Sequence, residues 1–176
     1  MTKKILTFGA SSSKNSINKQ LATYTANQFK NVSVEILDLN DYEMPIFSID
    51  KEKENGIPQL AHDFYAKLGS ADLILISFAE HNGAYSTAFK NIFDWASRIN
   101  GKTFQEKPML LLATSPGARG GSSVLEIAKN RFPFQGGIVK GSFSLPSFND
   151  NFDSEKGITN KELKNQLLEI VNSIEL

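Results

Sequence analysis

Four serines, two asparagines and a lysine crowd the ten residues Gly9-Ala10-Ser11-Ser12-Ser13-Lys14-Asn15-Ser16-Ile17-Asn18. They lie between an apolar run, Lys4-Ile5-Leu6-Thr7-Phe8, and the helix-like start Lys19-Gln20-Leu21-Ala22. A helix leaves its first N–H groups without intrahelical partners, and the aligned peptide dipoles place roughly half a positive charge there. Small hydroxyl side chains let a phosphate approach those donors, and Lys14 offsets the remaining charge. A Ser/Asn-rich turn with an ordinary N-cap explains the same stretch equally well when it is taken alone. Gly9 is the only glycine in it. It therefore carries neither the three-glycine dinucleotide pattern nor the Gly-Lys-Ser/Thr of a Walker loop.

Two other stretches have the composition of a binding loop. Ala79-Glu80-His81-Asn82-Gly83-Ala84-Tyr85-Ser86 centres on an Asn-Gly pair suited to a tight turn. Ser115-Pro116-Gly117-Ala118-Arg119-Gly120-Gly121 leaves main-chain N–H groups unobstructed by side chains. His81 is read as a hydrogen-bonding or packing residue, with proton donation to a bound acceptor as the alternative. Arg119 either helps neutralise a bound anion or is solvated at a loop tip.

Periodicity supplies the elements that must position these loops. The first apolar run reads as a buried strand, followed by a helix with Ile17, Leu21, Thr25 and Phe29 on one side. Val32–Leu39 alternates and reads as an edge strand, with Asp38 initiating a loop. Asn40–Pro58 is expected to be a long loop carrying the apolar patch Met44-Pro45-Ile46-Phe47. Leu60, Phe64 and Leu68 mark a helix closed near Gly69. Asp72–Phe78 and Pro108–Thr114 are unbroken apolar runs, the mark of central parallel strands. Between them Ala88, Phe89, Ile92, Phe93, Ala96 and Ile99 form a helix face, with Trp95 at its margin as a core-edge or interface residue. Ser123 and Glu126 have capping-box spacing for a helix reaching about Phe132, and Gly136–Leu145 reads as the fifth strand. Thr159 and Glu162 suggest a second capping box opening a final helix with Leu163, Leu167, Ile170, Val171 and Ile174.

Five strands alternating with five helices imply an α/β doubly wound parallel sheet, read as one domain over residues 1–176. In such sheets ligands sit beyond the carboxyl ends of the strands where their order reverses. That places segments 9–18, 79–86 and 115–121 in one site. A phosphate cradle beside two backbone-rich loops suits a flat heterocycle with a phosphate on a short sugar chain, which is the chemistry of flavin mononucleotide (FMN).

Composition narrows the alternatives. The 176 residues contain no cysteine and two histidines, so thiol catalysis and thiolate metal sites are excluded and the usual histidine metal spacings are missing. No acid convergent with Glu80 and no nucleophile elbow is present, which argues against a two-carboxylate or triad hydrolase. Lys plus Arg equals Asp plus Glu at 19 each, so no global field favours nucleic acid or an anionic membrane. With no signal peptide and no apolar run approaching the ~20 residues of a membrane span, a cytoplasmic location is expected.

The loops resemble those of the NADPH-dependent FMN reductases, a family of flavodoxin-like fold that includes bacterial chromate and quinone reductases. The resemblance covers nearly the whole chain and rests on GASSSKNSIN, AEHNGAYSTAFKNIFDW and TSPGARGG. Lys14 stands where the family often has Arg, and Ala79 and His81 replace the usual Pro and Tyr of the middle loop. The resemblance implies a strand order of 2-1-3-4-5, with helices on both faces of the sheet. It assigns the FMN phosphate to Ser11, Ser13, Lys14, Ser16, Ile17 and Asn18. It assigns one side of the isoalloxazine ring to Glu80, His81, Asn82 and Gly83, and another edge to Ser115, Pro116, Gly117 and Gly120. The implied reaction is hydride transfer from NADH or NADPH to FMN and on to a quinone, free flavin or other small-molecule acceptor, in ping-pong fashion, by a homodimer or homotetramer. A flavodoxin-type electron carrier and a flavin-free binding module on the same fold are the alternatives.

Overall fold

The computed structural model describes residues 2–176, and its frame follows from three largely buried apolar strands flanked by two partly covered ones. β1 (Lys3–Ala10), β2 (Val32–Ile36), β3 (Leu73–Phe78), β4 (Lys107–Thr114) and β5 (Gly137–Leu145) form one sheet of order β2-β1-β3-β4-β5. All pairings are parallel. All six residues of β3 are buried, as a strand covered on both faces requires. β2 pairs with β1 alone and is only partly covered, in keeping with its alternating sequence.

The period-2 geometry of the strands divides the core into two. Leu6, Phe8, Ile74, Ile76, Met109 and Leu111 face α3 (Gln59–Gly69), α4 (Thr87–Ile99) and α5 (Ser122–Arg131). Ile5, Leu73, Leu75, Leu110 and Leu112 face α1 (Ile17–Ala26) and α6 (Lys161–Ser173). The chain is thus doubly wound in the flavodoxin-like order. No helix among the described residues is long and apolar enough to cross a membrane.

The Asn40–Pro58 interval differs from the expected loop. It contains a 3-10 turn, Leu39–Tyr42, and a two-turn helix, α2 (Ile49–Asn55), whose N-cap Ser48 accepts a hydrogen bond from the Lys51 N–H. None of α2 is buried, so no apolar stripe announces it. The Met44–Phe47 patch docks on α4: Asn91 donates to the Met44 and Pro45 carbonyls and accepts from the Phe47 N–H. Trp95, expected at the core edge, is 1% exposed and donates its indole N–H to the Pro45 carbonyl at 2.7 Å, with Phe47 packed edge-on against its ring. Trp95 is therefore committed within the protomer and is not an interface residue, whereas Ile46 is 68% exposed.

Both predicted capping boxes are displaced. α6 is capped by Asn160, whose Oδ1 accepts from the Glu162 and Leu163 N–H groups. α5 begins one residue before Ser123, after Gly121 in the left-handed region at φ 75° and with no cap of its own. Ser123 is instead within the helix, where its hydroxyl accepts from Arg119.

Candidate functional site

The three odd loops follow β1, β3 and β4, neighbours in the sheet whose carboxyl ends lie side by side. Gly9 makes the junction of β1 with α1 possible. A Cβ there would lie 2.4 Å from the Lys19 nitrogen and 2.8 Å from its Cα, so any side chain would push α1 off the end of the strand. The helix start is thereby held directly against the sheet.

Ser16 is the N-cap of α1, its hydroxyl accepting from the Lys19 N–H at 3.1 Å, while its carbonyl accepts from Gln20. The bland expectation of a capped Ser/Asn turn is therefore correct, and it is compatible with the cradle. The Ile17 and Asn18 N–H groups have no acceptor among the described residues. The loop leading to them is shaped by Ser11, whose hydroxyl accepts from the Ser13 N–H, and by Ser13, whose carbonyl accepts from the Ser16 N–H. Lys14 is exposed and makes no ion pair among the described residues. Lys19, by contrast, pairs with Asp38 at 2.6 Å. That ammonium, helped by the Asn40 N–H, lowers the Asp38 carboxyl to about 2, and Asp38 initiates the 3-10 turn as its expected loop role required.

Asn18 does not offer its side chain to the loop. It is 2% exposed, donates to the Thr114 carbonyl at 3.1 Å, and accepts from the Ser77 hydroxyl at 2.7 Å and the Thr114 N–H at 3.1 Å. Thr114 in turn donates its hydroxyl to the Leu145 carbonyl. One buried network thus joins α1 to β3, β4 and β5 under the site. Of Asn18, only the backbone N–H faces outward as a donor for a ligand.

The middle loop is a two-residue hairpin. Glu80 pairs with Tyr85 and His81 with Ala84, around Asn82 and Gly83 at φ 52° and 76°. Those angles are those of a type I′ turn, which the Asn-Gly pair favours. His81, Asn82 and Gly83 are exposed. Ser86 closes the loop by capping α4 and by donating to the Ala10 carbonyl at 2.8 Å, which ties the second loop to the first. Tyr85 stacks on Phe132, and burial pushes the pKa of its unpartnered hydroxyl upward, so it remains neutral at physiological pH.

The third loop is anchored from the β5 side. The Ser147 N–H donates to the Gly117 carbonyl, Phe148 to Ser115, and the Ser144 hydroxyl to Gly120. Gly120 has φ 56°, and a Cβ there would lie 2.5 Å from the Ser144 hydroxyl, so the position requires glycine. Pro116 and Gly117 are exposed and Ser115 is half-buried. The Glu80 side chain, expected beside a bound ring, turns instead toward α5 and accepts the Val124 N–H at 2.9 Å. The Glu80 cap and the Asn18 network have no local sequence signal, since each depends on residues more than 40 positions away.

Among the described residues the arrangement presents amide donors without acceptors and an unpaired cation at one end, and two glycine-bearing loops at the other. The sequence profile of the family described as NADPH-dependent FMN reductase matches residues 3–150. An uncharacterized protein of Mycoplasma pneumoniae is 31% identical over 164 residues, covering 90% of this chain and 96% of its own. An Arabidopsis thaliana NADPH:quinone oxidoreductase is 28% identical over 147 residues, covering 82% and 74%. Among solved structures, the flavoenzyme NAD(P)H:(acceptor) oxidoreductase FerB of Paracoccus denitrificans shares the fold with a TM-score of 0.77 and 21% identity, covering 97% of this chain and 94% of its own.

Proposed function

The chain belongs to the NADPH-dependent FMN reductase family, and from that premise we propose that its three loops hold FMN for hydride exchange between NAD(P)H and a quinone or similar acceptor. It is an NAD(P)H-dependent oxidoreductase with FMN as cofactor. The observation that carries the site assignment is the open start of α1, where two unpaired N–H groups lie next to Ser16 and unpaired Lys14.

The donor set fits a phosphate monoester. The Ile17 and Asn18 N–H groups point along the helix dipole, and the Ser16 hydroxyl can donate its proton while its oxygen accepts from Lys19. Ser11 and Ser13 complete the loop, and Lys14 balances charge. Ring contacts fall to His81, Asn82, Gly83 and the Glu80 backbone on one side, and to Ser115, Pro116, Gly117 and Gly120 on the other. When bound, FMN supplies the chemistry, accepting a hydride from the nicotinamide and passing reducing equivalents to the acceptor. The protein's part is placement. Gly83, Ala84, Gly117 and Ala118 are short and exposed, leaving room for a nicotinamide to stack at the ~3–3.5 Å that transfer needs. The same opening admits the acceptor after the nucleotide leaves, which is a ping-pong order. No side chain is required as an acid.

Assembly as a homodimer or homotetramer belongs to this reading. Exposed Ile46 in the docked 44–47 segment and exposed Ile49 just after it supply an apolar motive, and sedimentation at micromolar concentration tests it. The reaction is tested by the visible spectrum of the purified protein and by anaerobic stopped-flow mixing with NADH or NADPH, followed by a quinone. At least one nucleotide should bleach the flavin rapidly and the quinone should restore it. Failure of both nucleotides would remove the enzyme reading and leave an electron carrier.

A further inference from the structure

We propose that Glu80 is a positioning residue that latches the second loop to the first turn of α5, directly after the third loop, fixing the gap in which the flavin ring is held. The proposal rests on the flavin reading above and assigns Glu80 a different role from ring contact. Its basis is the start of α5. Gly121 provides no side-chain cap, the Ser122 N–H is taken by the Arg119 carbonyl and the Leu125 N–H by the Gly121 carbonyl. Among the described residues the Val124 N–H is satisfied only by the Glu80 carboxylate, 44 residues away, at 2.9 Å.

Among the described residues this is the only hydrogen bond between segments 79–86 and 115–131. Each loop is otherwise fastened elsewhere. The second is tied to β1 through Ser86 and the Ala10 carbonyl, and the third to residues 144–148 through Ser144, Ser147 and Phe148. Beyond the latch, the hairpin meets α5 through apolar packing alone, Tyr85 stacking on Phe132, which sets no direction for the loop's backbone. A carboxylate at a helix start is also favoured by the helix dipole, so the bond is charge-assisted and the first turn of α5 is closed to a ligand anion.

The test uses the full chain with Glu80→Ala and Glu80→Gln. An amide carbonyl can still accept from Val124, so Glu80→Gln keeps the latch while Glu80→Ala removes it. A core change sharing no hydrogen bond with the loops, Phe64→Leu, controls for lost stability alone. The measurements are hydrogen exchange at the Val124 amide in flavin-free protein and titration with FMN and with riboflavin. Glu80→Ala should speed Val124 exchange and weaken both flavins by the same factor, about tenfold or more for one charge-assisted bond. Glu80→Gln should restore both to within about threefold, and Phe64→Leu should leave both affinities unchanged. Wild-type affinities in Glu80→Ala, a loss confined to FMN, or no rescue by Glu80→Gln would each overturn the proposal. Wild-type protein that bound neither flavin would refute the flavin reading instead, and Val124 exchange in the two Glu80 variants would still decide the latch.

Discussion

The residues of the first loop divide the work between ligand and scaffold. Ser16 sits at the boundary, 6% exposed, capping α1 while lying next to the free N–H groups. Ser16→Glu sets a negative charge where the phosphate should bind. We expect FMN affinity to fall at least a hundredfold, with a stability change of only about 1 kcal/mol from the altered cap. Flavin titration and circular dichroism should therefore dissociate; normal FMN binding by the variant would place the phosphate elsewhere. Asn18 is the scaffold partner. Asn18→Leu keeps the volume but leaves the Ser77 hydroxyl and both polar groups of the Thr114 backbone without their partner. A loss of about 3 kcal/mol is expected, a fall in Tm of roughly 6–12 °C. A variant as stable as the parent would show that the network contributes nothing.

At the scale of elements, strands and loops were legible in the sequence to different degrees. Strands β3 and β4 announced themselves because burial on both faces demands unbroken apolar residues, and the Asn82-Gly83 turn because few other pairs adopt positive φ cheaply. α2 was illegible because it buries nothing, and its support is the Ser48 cap, a Lys51 bond to the Ile46 carbonyl and a remote ion pair between Glu52 and Arg98. The α5 cap escaped local spacing because Glu80 delivers it from across the chain, and the α6 cap fell one residue from Thr159 because the adjacent Asn160 is the stronger N-cap. The three loops of the site were visible by composition, yet the inward turn of Asn18 and Glu80 was not. The junction of α1 with the 3-10 turn after β2 makes a prediction about acid. Asp38 titrates at about 2 when folded against an ordinary 3.8. A lowered folded-state value means that its contribution is complete above about pH 4 and is lost as pH falls toward 2. With about a third of the pair exposed, that contribution is on the order of 1 kcal/mol. Urea unfolding at pH 5 and pH 2 should show a smaller acid loss in Asp38→Asn than in the parent, and equal losses would remove the pair from the account.

The whole molecule brings three strand ends together so that one opens on a charged-group cradle and two on backbone. Its charge is balanced, with 19 residues of each sign, so attraction of a phosphate must be local and not a property of the global field. That is the central claim: the start of α1 recognises the phosphate, and the glycine-bearing loops recognise the ring. Calorimetric titration of flavin-free protein with FMN and with riboflavin measures it directly, because the two ligands differ only in that group. Charge-assisted hydrogen bonds contribute about 1.5–3 kcal/mol each, so two of them predict an affinity for FMN at least about a hundredfold above that for riboflavin. Equal affinities for the two ligands would contradict the account.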